Sequence, residues 1–341
     1  MSETEITEPV DALDELGRPQ NFGWARYPHV VYDPLRISSP RRFASESDRY
    51  ILSSPTHLVV FEILDDGCMG YAFISVVSLK DKTRSTQTYR NFFPLGSFKL
   101  PRDSDSGSAK YQQKKMSLDF TVMDEGVRII TVDIPNFGRK RSLRGKVVLS
   151  PPPEAQSLVT HMPWRGIGNA FSYSRRSPWY FAEGVMQTDT AEIVFTRETA
   201  WGIFDWNRGV RPSSDLRFWA SGCGMAEDRQ VGFSVGYNSA DSALGTENAF
   251  FLDGKLHKLD QVSFHLPLDR HEPWRFTSND NRLEMILSPN QDRFESHQMF
   301  LYSLKRRQLF GSFSGRVILD DGSELQFQDI CGMAERRKNR L

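Results

Sequence analysis

The most constraining feature of this sequence is a set of four acidic-glycine turns, each lying between two runs of strand-forming residues. Glycine adopts the positive φ that tight hairpin turns require, and aspartate tolerates it. The four turns are Asp65-Asp66-Gly67, Asp124-Glu125-Gly126, Asp253-Gly254 and Asp320-Asp321-Gly322. Helical periodicity is weak throughout, so the pattern predicts an all-β, antiparallel fold with few short helices.

An internal repeat indicates how some of these strands are arranged. The segment Cys223-Gly224-Met225-Ala226-Glu227 recurs unchanged at residues 331–335, and Trp201-Gly202-x-Phe204 is similar to Phe310-Gly311-x-Phe313. A barrel removes its exposed edges by pairing its first strands with its last. Residues 201–341 are therefore predicted to form one β-barrel, and residues 19–200 a second barrel or barrel-like sandwich. Residues 1–18 are predicted to be a disordered acidic tail.

Composition limits the possible partners and the compartment. The chain has 43 basic and 43 acidic side chains, which gives no electrostatic case for nucleic acid. It lacks a signal-like start and any apolar run of about 18 residues, and its three cysteines fit a reducing compartment. We therefore expect a cytoplasmic protein without a transmembrane segment. Two basic clusters, at 139–141 and 336–338, are either solvated chain ends or a weak contact with a membrane surface.

Several blocks of the sequence resemble a known family. They are Phe22-Gly23-Trp24-Ala25-Arg26, Asp205-Trp206-Asn207-Arg208-Gly209-Val210, Phe218-Trp219-Ala220-Ser221, Thr246-Glu247-Asn248-Ala249, Asp253-Gly254-Lys255-Leu256-His257-Lys258-Leu259 and Gly311-x-Phe313-x-Gly315. Together they resemble the recurrent blocks of the "domain of unknown function 2804" (DUF2804) family, over nearly all of the chain beyond residue 20. This resemblance implies a fold more than a function.

A more remote resemblance concerns the tandem lipocalin-like proteins, which include carotenoid hydratases and lipocalin-like cyclases. It rests on Tyr180-Phe181-Ala182-Glu183-Gly184, on Ala200-Trp201 and on Asp205-Trp206. In those proteins two calycin-type barrels pack together, and an apolar pocket holds a hydrophobic substrate. The resemblance therefore implies a pocket for a lipophilic molecule in one barrel or between the two.

Three charged residues are candidates for catalysis. On a strand, Asp205 and Asn207 face one side while Trp206 and Arg208 face the other, although Gly209 could bend the strand and bring Arg208 to a carboxylate. Asp205 and Arg208 then form either a structural clasp or a site in which desolvation raises the pKa of an aspartate that exchanges protons. Glu247 is either solvated or the second carboxylate of an acid/base pair.

A larger set of aromatic and polar residues is a candidate for ligand binding. Rings beside carboxylates and carboxamides could hold an apolar or a sugar ligand, or they could simply pack in the core. The set is Trp179, Tyr180, Glu183, Trp201, Trp206, Asn207, Trp219, Asn248 and His257. The histidines and cysteines lack metal-ligand spacing, and no phosphate-binding glycine loop occurs, so we predict neither a metal site nor a cofactor.

These residues favour binding of a hydrophobic small molecule in an apolar pocket. One alternative is an enzyme of the hydratase, isomerase or cyclase type, with Asp205 as general acid and Glu247, Glu183 or Arg208 assisting. A second is a carbohydrate-binding or carbohydrate-active protein, and a third is a scaffold whose barrels are filled with side chains.

Overall fold

The computed structural model describes residues 3–138, 141–189, 191–237, 244–269, 272–299 and 302–340. Its strands, numbered β1 to β24 in chain order, are Val10–Asp11, Gly23–Ala25, Val30–Val31, Glu46–Ser53, His57–Asp65, Met69–Ser78, Thr83–Phe92, Ser108–Gln113, Met116–Val122, Arg128–Phe137, Arg141–Ser150, Leu158–Trp164, Ile167–Thr188, Glu192–Phe195, Trp201–Val210, Ser214–Ala226, Arg229–Tyr237, Ala249–Leu252, Lys255–Lys258, Val262–His265, Trp274–Ser278, Leu283–Met299, Tyr302–Ile318 and Glu324–Arg340. The helical elements of this part of the chain are three 3₁₀ turns, Pro34–Arg36, Arg41–Phe43 and Asp124–Gly126.

All four predicted turns connect neighbouring antiparallel strands. They join β5 to β6, β9 to β10, β18 to β19 and β23 to β24. In the β18–β19 hairpin both Asp253 and Gly254 have positive φ, at 48° and 79°, which is the geometry of a type I′ turn. The all-β antiparallel prediction is therefore confirmed.

The first sheet runs in the order β7-β6-β5-β4-β15-β13-β11-β10-β9-β8, with β12 and β14 also paired to β13 and β2 paired to β12. Its two end strands approach each other, because the Tyr111 hydroxyl on β8 donates a hydrogen bond to Asn91 Oδ1 on β7 at 2.9 Å. The sheet is thus curled around its own apolar core, to which Phe61, Phe120 and Ile130 belong.

The second sheet runs in the order β19-β18-β17-β16-β24-β23-β22-β21-β20. The two copies of the repeated segment lie on the paired strands β16 and β24, where Gly222 is opposite Gly332. The end strands β19 and β20 are consecutive in the chain and joined only by residues 259–261, so this sheet also curls back on itself. The predicted pairing of an early strand with the last one is confirmed for β16.

The sheets change at a different place from the predicted division at 200/201. Strand β15, Trp201–Val210, pairs with β4 and β13 and so lies in the first sheet, and the second sheet begins at Ser214. The likeness between Trp201-Gly202 and Phe310-Gly311 therefore relates strands of different sheets. Ile203 and Phe204 are both buried. A short sequence motif predicts such burial, but it does not reveal which strands lie next to these residues.

The N-terminal segment differs from the predicted disordered tail. Within residues 3–18, β1 pairs in parallel with β3, and Ile6, Ala12 and Leu13 are buried against the first sheet. The acidic composition concealed these few apolar anchors. The second basic cluster differs as well, because Arg337 lies within β24 and forms an ion pair with Asp66 at 3.1 Å.

Two further sequence-based expectations concern membranes. Arg139 and Lys140, of the first basic cluster, lie outside the described residues. Among the residues that the structure does describe, no helix is long and apolar enough to cross a membrane.

The two curled sheets pack against each other through a shared apolar cluster. It contains Val60, Phe73 and Trp179 from the first sheet and Trp219 and Met333 from the second. The side chains that face a sheet's own core are therefore different from those that face the other sheet. Charged residues occur in both groups.

Candidate functional site

A cavity of about 240 Å³ lies where the first sheet meets the β18–β19 hairpin of the second. Its wall is formed by strand residues from both sheets, by the 151–156 connection and by the turn before β10. Among the lining residues are Arg128, Arg175, Ser177, Trp179, Tyr180 and Phe251. Trp179 and Tyr180 were predicted from the sequence as ligand-binding residues, and both line this cavity.

Strand alternation and a bulge in β13 place the lining residues. Arg175 and Ser177 share one face of the strand, while Arg176 points to the other. The register then shifts between Ser177 and Tyr180, so that Pro178 and Trp179 together oppose the single residue Ile203. Proline lacks the N–H that a central ladder needs, which is why it lies in the bulge.

The bulge also joins the cavity to the second sheet. Trp179 Nε1 donates a hydrogen bond to the Gly224 carbonyl oxygen at 3.2 Å. Gly232 on β17 lies directly against the bulge, because a Cβ there would be only 2.6 Å from the Pro178 carbonyl oxygen. Glycine at 232 is therefore required for the two sheets to approach each other at this point.

Arg128 is the most deeply buried charge of the cavity, with 1% of its surface exposed. Its Nε donates to the Tyr180 hydroxyl at 3.1 Å, its Nη1 to the Tyr50 hydroxyl at 3.3 Å and its Nη2 to the Ser104 carbonyl at 2.7 Å. Its guanidinium also lies 3.8 Å from the centre of the Phe204 ring. Neutral oxygens and an aromatic face thus solvate most of this charge.

Arg175 brings a second positive charge to the same wall. Its Nη1 donates to Ser104 Oγ at 3.0 Å and to the Asp105 carboxylate, and its Nε donates to Ser157 Oγ at 3.3 Å. Asp105 also lies 3.7 Å from Arg128 Nη2. One exposed aspartate therefore faces two guanidiniums.

These two charges change the acidity of Tyr180. Burial alone would raise the pKa of its phenol, but the Arg128 and Arg175 guanidiniums outweigh burial and lower that pKa below its ordinary value. Because its oxygen accepts the Arg128 hydrogen bond, the Tyr180 hydroxyl proton remains available to another acceptor.

The predicted catalytic carboxylates, Asp205 and Glu247, lie in a buried ion-pair network that adjoins the cavity wall. Asp205 is 3.6 Å from Arg49 and 3.3 Å from Arg176. Arg176 is also 3.1 Å from Glu247, which has a second partner in Arg217 at 3.5 Å. Burial would raise the pKa of Glu247, but the two arginines outweigh burial and lower it. Glu247 is thus buried and paired, rather than solvated.

The network continues across the packed faces of the two sheets. Glu62 on β5 pairs with Arg49 at 2.7 Å and with Arg306 on β23 at 2.8 Å. Arg306 also pairs with Glu335 on β24 at 2.6 Å. Burial opposes the charge on Glu62, but Arg306 and Arg49 outweigh it and hold its pKa below the usual range. The network therefore links the first sheet to the second.

Arg208 differs from its predicted role. Asp205 and Asn207 do share a face, with Asn207 Nδ2 donating to Asp205 Oδ1 at 2.9 Å, and Arg208 lies over the Trp206 ring on the other face. Arg208 consequently pairs with Asp48, at 2.8 Å, and not with Asp205. The predicted ion pair between Asp205 and Arg208 is therefore wrong. Gly209 does not turn Arg208 to the face of Asp205.

The remaining predicted aromatic residues lie apart from the cavity lining. Trp206 is buried edge-on against Tyr173, Trp219 lies under the Arg49 guanidinium, and Trp201 is half-buried beside Trp179. Glu183 is exposed on the outer face of β13.

The last two predicted ligand-binding residues make local contacts in the second sheet. Asn248 Oδ1 accepts a hydrogen bond from the Gly236 N–H, and its Nδ2 donates to the Asp260 carbonyl oxygen, both at 2.8 Å. His257 is half-buried, and its Nδ1 lies 3.3 Å from the Asp320 carboxylate. The structure thus brings Asp205, Glu247 and Asn207 together, and Trp179 with Tyr180, but it does not bring these two groups into one cavity.

A second cavity, of about 50 Å³, lies at the far end of the network and includes Asn207, Arg208 and Asp215 in its lining. Burial raises the pKa of Asp215 to about 6, against the opposing effect of Arg217 and Arg337. Its Oδ1 is buried and makes no hydrogen bond with the described residues.

Sequence reasoning missed Arg128, Arg175 and Asp215. A signal for Arg128 exists, because it is in period-two register with Ile130, Val132 and Ile134, all buried on the inner face of β10. A charge in that register indicates a buried, functional or paired group. Arg175 and Asp215 have no comparable local pattern.

Comparisons with known proteins agree with this architecture. A family profile described as "Domain of unknown function (DUF2804)" matches residues 3–341. No curated protein sequence matches the chain significantly.

Three solved structures are similar over most of the chain. The crystal structure of CghA with Sch210972 has a TM-score of 0.55 at 12% identity, covering 88% of this chain and 89% of the other. Kievitone hydratase from Nectria haematococca has a TM-score of 0.49 at 11% identity, covering 90% and 92%. A putative AttH from Nitrosomonas europaea has a TM-score of 0.48 at 12% identity, covering 89% and 95%. The likeness to CghA shows a shared lipocalin-like fold of two curled antiparallel sheets.

Proposed function

We propose that this chain, which belongs to the DUF2804 family, binds a small, largely apolar molecule in the cavity between its two sheets. The cavity volume of about 240 Å³ lies just below the range of roughly 300–1,000 Å³ that is usual for ligand sites. A compact ligand, such as one with a single fused-ring system, suits that volume.

The observation that carries this proposal is that the cavity lining combines apolar side chains with a small group of polar ones. Trp179 and Phe251 supply apolar surface from the two sheets, whereas Arg128, Arg175 and Tyr180 supply convergent polar groups. Ligand sites generally combine mostly apolar walls with a few placed polar groups. A space built only for packing would not keep a buried guanidinium beside an unfilled volume.

Asp205 has a different role in this proposal. It is 3% exposed, has two arginine partners and is not among the residues that line the cavity. Removing one member of a buried ion network is costly, because it leaves an uncompensated charge in the interior. We propose that Asp205, Glu247 and their arginines hold the sheets together.

A second candidate function is enzymatic, of the hydratase, isomerase or cyclase type, on the same bound molecule. It is favoured by Tyr180, which lines the cavity and whose pKa the neighbouring arginines lower. A phenol of this kind is a suitable general acid or base. In this version Tyr180, rather than Asp205, exchanges the proton with the ligand.

The binding proposal is tested by filling the cavity. Ala155 lines it and is half-buried, so Ala155→Trp should occupy the ligand volume. Native mass spectrometry of gently purified wild-type protein is expected to show a bound small molecule, and this adduct should be lost in Ala155→Trp.

Ala191→Trp is the matched control, because Ala191 is exposed and is not among the residues that line the cavity. It should retain the adduct of the wild-type protein. An adduct that persists in Ala155→Trp, with an unchanged affinity, would show that the molecule binds elsewhere.

A further inference from the structure

We infer that the ligand of this cavity carries a carboxylate, which binds between Arg128 and Arg175 while the apolar body lies against Trp179 and Phe251. This inference rests on the proposed binding function and adds the chemical class of the ligand. It is drawn from the charges, the hydrogen-bond donors and the one acidic residue found beside these two arginines.

The part of the cavity lined by Arg128 and Arg175 has more positive than negative charge. Among the described residues, Asp105 is the only carboxylate within 4 Å of Arg128 or Arg175. Glu125 and Glu154 also line the cavity, but both are exposed and lie where it meets solvent. An anion is therefore favoured beside Arg128 and Arg175, and a cation is not.

Hydrogen-bond donors remain in this part of the cavity for ligand oxygens. A guanidinium has five N–H groups, and three from Arg128 are used by Tyr180, Tyr50 and Ser104. The Nη2 group of Arg175 makes no hydrogen bond with the described part of the chain. The free N–H groups and the Tyr180 hydroxyl can donate hydrogen bonds to the two oxygens of a carboxylate. Arginine commonly binds a carboxylate through two such bonds.

Asp105 occupies the place that a ligand carboxylate would take. It lies in the 93–107 connection between β7 and β8, it is exposed, and its side chain is the anion that Arg175 now contacts. Because Asp105 is exposed and lies on an irregular connection, it can turn to solvent when a ligand carboxylate takes its place.

The structural alternative is that the two arginines only hold the 93–107 connection in place. Arg128 Nη2 donates to the Ser104 carbonyl and Arg175 Nη1 to the Ser104 hydroxyl, so both contact that segment. In that case a charged ligand would gain nothing over a neutral one of the same shape. The two accounts therefore differ in a measurable preference.

The test compares carboxylates with the amides of the same shape. The probes are 2-naphthoate and 2-naphthamide, with benzoate, cinnamate and decanoate and their amides as further pairs, measured by isothermal titration calorimetry. We expect wild-type protein to bind at least one carboxylate at least tenfold more tightly than its amide. Arg175→Gln should remove this preference, and Asp105→Asn should tighten binding of the carboxylate several-fold without changing binding of the amide.

The matched control is Arg144→Gln, because Arg144 is an exposed arginine with a single aspartate partner on the outer surface of β11. It should keep the wild-type preference. Asp105→Asn removes no positive charge, so it keeps the test informative even if Arg175→Gln fails to fold.

The outcomes separate the two proposals. Equal binding of acid and amide by the wild-type protein, or a preference that survives Arg175→Gln, overturns the carboxylate assignment and leaves the binding function standing. Failure of every probe pair to bind, together with the absence of a co-purified molecule, overturns both.

Discussion

At the scale of single residues, this protein buries charges in two different settings. Arg128 is buried in the wall of a cavity and is solvated by two phenols and a carbonyl. Asp205 is buried between two arginines, at 3.6 and 3.3 Å. Arg128 lines the cavity, whereas Asp205 and its two arginines do not, so similar burial indicates different roles.

Asp215 gives a prediction about pH. Its folded-state pKa of about 6 lies above the value near 3.9 of an unfolded aspartate, so the folded protein binds the extra proton. Stability is therefore expected to fall as pH rises from about 4 to 6, by roughly 1–3 kcal/mol. Asp215→Asn should flatten the curve in that window and be more stable than wild type at pH 7.

Denaturant unfolding at pH 4, 5, 6 and 7 checks this prediction. Asp228→Asn, at an exposed turn, is the control and should follow the wild-type curve. An Asp215→Asn protein that loses stability at pH 7 would mean that the aspartate is charged and paired there.

Sequence reasoning at this scale was limited to local geometry. Alternation along β15 correctly placed Asp205 and Asn207 on one face and Trp206 and Arg208 on the other. The partners of Asp205 could not be predicted, because Arg49 and Arg176 come from neighbouring strands whose order the sequence does not specify.

At the scale of elements, the bulge in β13 is the feature that forms the cavity. Pro178 and Trp179 bend the strand so that Trp179 points to the second sheet, and Gly232 leaves room for the approach. Bulges commonly redirect a side chain at a functional site.

Gly232→Ala tests that arrangement. Its Cβ would lie 2.6 Å from the Pro178 carbonyl oxygen, which is backbone and cannot move alone. We expect the variant to lose about 1–3 kcal/mol of unfolding free energy and to bind ligand more weakly, since overpacking shifts backbone.

Gly168→Ala is the control, because Gly168 lies on the same strand β13 with nothing within 4 Å of its Cβ position. Its stability and ligand affinity should remain near the wild-type values. Wild-type stability in Gly232→Ala would show that the sheets are not in close contact there.

The elements themselves were largely predictable. The turn at Asp253-Gly254 identified the β18–β19 hairpin because its chemistry is local, and the same holds for the other three turns. The β13 bulge was not predicted, since the shift depends on which residue of β15 opposes Pro178.

At the scale of the whole molecule, two curled sheets are joined by apolar contacts and by a chain of ion pairs. Glu62, Arg306 and Glu335 bridge the sheets, and Asp205 extends the chain of pairs towards Glu247. Losing one member of a buried pair costs up to about 3–5 kcal/mol, because it leaves an uncompensated charge. The predicted division at 200/201 missed this arrangement, because pairing of β15 with β4 is a long-range property.

The central claim is that Asp205 supports Arg49 and Arg176, which pair across the sheets with Glu335 and Glu247, while the ligand binds in the neighbouring cavity. Asp205→Asn tests this claim most directly. The measurement pairs the free energy of unfolding with the affinity for the co-purified molecule or the tightest probe. We predict a loss of about 1–3 kcal/mol of stability with affinity within about twofold of wild type, since Asp205 does not line the cavity. Wild-type stability together with loss of binding or turnover would contradict the account.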